Sequence, residues 1–146
     1  MRVVACLAAL VVLVVVGTAS ARQDANGIPA YVNGYATWPK LNAKPIRGGS
    51  PAHSGTKNVY VSKRKTGARY PVGAIVVKTA TPAGKQWLSL IATMRKIKGT
   101  ANGGWRWEEF TRSSPTARFA KVGFPESGCA ACHAQAKSND YVVTRR

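Results

Sequence analysis

Five residues near one end of the chain, Cys129-Ala-Ala-Cys132-His133, constrain the fold more tightly than any other feature. Two thiols three positions apart lie on one side of a helical turn, and the histidine follows at once. That spacing matches covalent attachment of a c-type haem, in which each thiol adds across a vinyl group and the adjacent imidazole reaches the iron. The expected cofactor is one covalent haem c per chain, held by Cys129 and Cys132, with His133 as ligand to the haem iron. Ligation favours a neutral imidazole whose second ring nitrogen donates to a backbone carbonyl. A redox dithiol, or a zinc site completed by His53, draws on the same residue types. Neither explains a histidine directly after the second cysteine.

The opposite end reads as an export leader. Arg2 gives a positive start, Val3 to Val16 form an uncharged apolar run, and Ala19-Ser20-Ala21 supplies the small-x-small pattern of a cleavage site. Residues 1–21 are therefore expected to be a signal peptide, removed together with Cys6, and residues 22–146 the mature domain in the periplasm. On length alone, an uncleaved N-terminal anchor is the alternative. Export agrees with the haem motif, because c-type attachment is completed outside the cytoplasm.

The remaining 125 residues (146 less 21) suffice for one domain with one core. With Arg2 gone, 21 Lys and Arg face 5 Asp and Glu, a formal charge of +16. Such a field draws acidic partners or an anionic surface. An exported chain rarely meets nucleic acid, so the expected partner is an acidic redox protein such as another cytochrome. A solvated basic surface that serves solubility alone is the competing explanation.

Periodicity predicts an α+β domain, mainly an antiparallel β-sheet with a few short helices. Tyr31, Tyr35 and Trp38 fall on one face of a short helix spanning 31–38, while Gly and Pro make 47–55 a loop. Alternation of apolar residues predicts strands over 57–62, 73–79, 87–97 and 105–111, the last antiparallel to the third across a turn at 100–104. The basic stretch 63–69 connects the first two strands. A short helix is expected at 117–122, ahead of the cysteine motif.

The iron's other axial position decides the chemistry. After cleavage the chain offers one methionine, Met94, and one further histidine, His53. Met94 lies among core residues and His53 in a glycine-rich loop, so an open sixth position is expected, with an electron carrier ligated by Met94 or His53 as the alternative. Glu108 and Glu109 point to opposite faces of their strand, so one of them can look inward and act as a distal base. A surface ion pair is the plainer role for either.

The set Tyr35-Ala-Thr-Trp-Pro39, His53-Ser-Gly, Val59-Tyr-Val61, Tyr70-Pro-Val-Gly-Ala-Ile-Val-Val-Lys78, Trp105-Arg-Trp107 and the cysteine motif followed by Asn139-Asp-Tyr-Val-Val-Thr-Arg145 resembles the cytochrome P-460 family and the related cytochromes c′-beta. The resemblance spans nearly all of the mature chain. It implies a β-rich fold that often dimerises and a five-coordinate haem with His133 on the proximal side. It also implies small nitrogen ligands: P-460 members oxidise hydroxylamine and carry a lysine-to-porphyrin bond, while c′-beta members bind nitric oxide in an apolar pocket. Lys78 and Lys65 are the positions to test for such a bond.

Overall fold

A computed structural model describes residues 25–48 and 53–144. The expected leader, Cys6 and part of the 47–55 loop lie outside the described residues.

Five strands form one antiparallel sheet: β1 (Thr56–Val61), β2 (Ile75–Thr81), β3 (Leu90–Lys96), β4 (Trp105–Thr111) and β5 (Ala120–Lys121), hydrogen-bonded in chain order. Among the described residues a single α-helix, α1 (Glu126–His133), follows. This is the α+β, mainly antiparallel architecture that the periodicity predicted. The third strand starts at Leu90 rather than Trp87.

Both faces of the sheet are buried, because β2 and β3 carry apolar side chains on each side. Val59, Val61, Val76, Met94, Trp105 and Trp107 pack with Val142 on one face, where α1 and the C-terminal segment cover them. Val77, Ile91 and Phe110 pack with Ile28, Val32 and Phe119 on the other, under the N-terminal segment. Ionised groups follow the same economy: the four acidic residues of the described region, Glu108, Glu109, Glu126 and Asp140, each pair with a basic side chain.

Two expected helices do not form. Residues 31–38 make two 3-10 turns, Ala30–Val32 and Tyr35–Thr37, broken at Gly34, whose φ of 75° is left-handed. Tyr31, Tyr35 and Trp38 nevertheless all pack on the second core, so the aromatic stripe was legible although its backbone was not. Residues 117–122 are extended, since the amide of Phe119 bonds Asn26, that of Val122 bonds Glu109, and β5 pairs with β4 between them. An available sheet edge outweighs weak local helix propensity.

No helix among the described residues is long and apolar enough to cross a membrane.

Candidate haem site

Helix α1 is eight residues long and begins after Pro125, whose fixed φ suits a helix start. Glu126 ties it to the sheet: its carboxylate takes the Arg106 side chain at 3.0 Å and the Trp107 amide at 3.3 Å. An acid in the first turn also favours the helix dipole. Within the helix Cys129 and Cys132 stand three residues apart, as free thiols. Cys129 packs against the first core while Cys132 is exposed. Burial pushes the Cys129 thiol above its ordinary pKa, and the nearby Glu109 charge adds to this.

His133 closes the helix and is buried at 8% exposure. Its Nδ1 lies 2.8 Å from the Tyr141 carbonyl oxygen. With Nδ1–H donating there, Nε2 carries the lone pair. The Trp107 ring meets the imidazole edge-on at a 4.7 Å centroid separation, which limits its rotation.

The carbonyl partner is held by an unusual backbone. Asp140 and Tyr141 have φ of 53° and 66°, a conformation that costs side-chain-bearing residues about 1–2 kcal/mol each. Several bonds offset it. Asp140, 5% exposed, receives Lys96 Nζ at 2.7 Å on one carboxylate oxygen and the Tyr70 amide at 2.9 Å on the other. Its carbonyl accepts the Trp105 indole N–H at 3.0 Å, and the Tyr141 amide bonds Ala136. Gly103 makes room for the Tyr141 ring, since a Cβ there would lie 2.8 Å from it.

Register builds the wall that faces the helix. Cross-strand partners on one face give a row Val59, Lys78, Ala92 and Glu109, and beside it Val61, Val76, Met94 and Trp107. Ala92 is the small member of its row, leaving space between Lys78 and Glu109. His53 occupies that space. Its Nε2 lies 2.9 Å from the Glu109 carboxylate and its Nδ1 3.3 Å from Lys78 Nζ. Lysine donates and carboxylate accepts, so the neutral tautomer consistent with both is Nε2–H. The loop bearing His53 is fixed by the buried Lys57, whose ammonium donates to the carbonyls of His53, Gly55 and Gly48.

Two adjoining clefts open between this wall and α1, and both are lined by His53, Lys78, Glu109, Phe124, Cys129, His133 and Val143. The donor set fits a haem c: two thiols on one helical turn, a neighbouring imidazole of fixed tautomer, and a largely apolar cleft beside them. Among the described residues, no group of three or more His, Cys, Asp or Glu side chains is placed to hold a metal ion.

Cys129, Cys132, His133, Lys78, Glu109, His53 and Met94 are thus gathered about one cleft, although Cys132 borders only its larger part. Glu108 borders the smaller part, but its carboxylate turns to the opposite face, where it takes the Tyr31 hydroxyl and, at 2.7 Å, Lys121. The remaining candidate, Lys65, is not brought there. Lys65 donates to Asn139 at 2.6 Å and sits over the Tyr70 ring. The sequence reasoning did not single out Glu126, Lys96, Asp140 or Phe124. Two clues were present: five acids among so many bases, and an aspartate eight positions after the motif's second cysteine, Cys132.

The match to known families extends over residues 32–144, and the family is Cytochrome P460. No curated protein matches the chain. The chain belongs to the cytochrome P460 family, whose members bind haem c covalently, and it is accordingly a c-type haem protein with nitrogen-compound chemistry.

Proposed function

We propose that this is an exported, periplasmic mono-haem cytochrome, attached through Cys129 and Cys132 and ligated by His133, whose sixth position takes hydroxylamine or nitric oxide. One observation carries the reading: a hydrogen-bonded chain of Lys78, His53 and Glu109 stands in an otherwise apolar cleft beside His133. The bound haem supplies a ligand-binding iron and an acceptor for electrons. Glu109 is the cleft-facing carboxylate able to take a proton from a nitrogen ligand, and His53 fixes its orientation by donating to it. With both its ring nitrogens engaged, His53 is less suited to ligate iron than its residue type alone suggests. Lys78, which borders the cleft as Lys65 does not, is the better candidate for a bond to the porphyrin rim. Electrons would leave to an acidic redox protein, drawn by exposed cations that include Lys63, Arg64, Arg69, Lys98 and Lys137.

A second reading rests on Met94, which is buried in the row next to Glu109 and lines the cleft. As sixth ligand it would make the protein an electron carrier. The absorption spectrum of the ferrous protein separates the two. A high-spin spectrum with a strongly red-shifted main band is expected for a lysine-linked, hydroxylamine-oxidising protein, and a high-spin spectrum without that shift for a nitric oxide binder. A sharply split low-spin visible band would overturn the proposal in favour of the carrier.

A further inference from the structure

The buried Lys96–Asp140 pair lies outside the cleft, and neither residue borders it. Buried ion pairs are weak stabilisers compared with apolar packing, so a pair sealed to this degree calls for another account. The answer is in what Asp140 precedes. Its side chain bridges β3, through Lys96, and the segment before β2, through the Tyr70 amide. Its carbonyl is tied to β4 through Trp105. These three bonds hold the left-handed pair Asp140–Tyr141, and the very next carbonyl, that of Tyr141, receives His133 Nδ1.

We propose that Lys96 and Asp140 are positioning residues for the axial histidine: by clamping the backbone at 140–141 to three places on the sheet, they aim the Tyr141 carbonyl at His133 and so set the orientation and donor strength of its imidazole. The inference rests on His133 being the iron's ligand. A strong, well-aligned bond from Nδ1–H to a carbonyl enriches the ring in electron density and makes Nε2 the better donor. The Lys96 ammonium also lies 4.6 Å from the Trp105 ring centre, so both partners of the pair bear on the indole that anchors the turn. A carboxylate is required because two donors approach Asp140 from different elements and need separate oxygens.

The test uses holoprotein matured with its haem and reads the iron–histidine stretching band of the ferrous form by resonance Raman, together with the midpoint potential. Asp140→Asn weakens the clamp while retaining a carbonyl oxygen. The double variant Lys96→Met/Asp140→Asn removes both charges and leaves neither unpaired, so it reports even where the single variant folds poorly. Both are expected to keep one covalent haem, to move the band to lower frequency and to raise the midpoint potential. Val77→Ala, in the opposite core, should lower thermal stability and leave the band unmoved. An unmoved band in the double variant, or an equal shift in Val77→Ala, overturns the proposal. His133→Gly separates the underlying reading: a wild-type band in that variant shows that His133 is not the ligand, whatever the other variants do.

Discussion

His133 and Tyr141 are joined by a 2.8 Å hydrogen bond from an imidazole N–H to a backbone carbonyl. Both ends come from one continuous C-terminal stretch, so the two thiols, the imidazole and its hydrogen-bond acceptor all lie within fourteen positions, from Cys129 to Val142. The sheet's contribution is to hold that stretch. Glu126 secures its start on β4, Asp140 its end on β3 and β4, and Trp107 fills the space against the imidazole.

His133→Gly should keep the haem on the chain, because the thioethers do not depend on the imidazole. The ligand field changes, so the ferrous absorption spectrum shifts, and added imidazole should move it back towards that of the unchanged protein. An unaltered spectrum would count against His133 as ligand.

Replacing Cys129 and Cys132 together by serine should leave no covalent pigment. Denaturing electrophoresis stained for haem peroxidase activity checks this, with complete loss expected against full staining of the parent chain. Folding should suffer as well, since a group bound only to the folded chain stabilises it.

Glu109→Gln removes the carboxylate that faces the cleft. If the protein oxidises hydroxylamine, turnover should fall by about 100-fold, within the usual range for loss of a general base. Glu108→Gln, altering the opposite face, should leave turnover within about twofold.

Glu108 also gives a pH signature. Burial alone would push its carboxyl up, but hydrogen bonds from Lys121 and Tyr31 and the charges of Lys121 and Arg95 outweigh it, leaving the pKa below its ordinary 4.5. A carboxyl whose folded pKa is depressed adds stability above its unfolded pKa and loses it as pH falls through the folded value. Denaturation measured from pH 6 down to about pH 3 should therefore show an acid-side loss that is smaller in Glu108→Gln.

Lys96→Met leaves Asp140 charged and buried without its cation. Urea unfolding should show a loss of about 3–5 kcal/mol. Removing the second charge too, in Lys96→Met/Asp140→Asn, should recover part of it; a double variant less stable than the single one would contradict the assignment of that cost to an unpaired charge.

The strands were legible because alternation of apolar residues is a direct consequence of the pleat, and in Val59, Val61, Trp105 and Trp107 it was regular. The helical turn that carries Cys129, Cys132 and His133 was legible because its spacing is entirely local. What escaped was set by tertiary partners. Residues 117–122 became a strand only because β4 offered an edge, and the 31–38 segment was broken by a glycine whose left-handed state no periodicity reveals. The split between Glu108 and Glu109 was readable from strand geometry, but which of them faces α1 depends on the register of β3 with β4. The Lys96–Asp140 clamp joins residues 44 positions apart, and nothing in either neighbourhood signals the other.

Covalent haem is tested most directly by the intact mass of the protein purified from a host that matures c-type cytochromes. A coloured protein, heavier than its own polypeptide by one haem, is the expected result. A colourless protein with the mass of the bare chain would contradict attachment through Cys129 and Cys132, and with it the function proposed for the cleft.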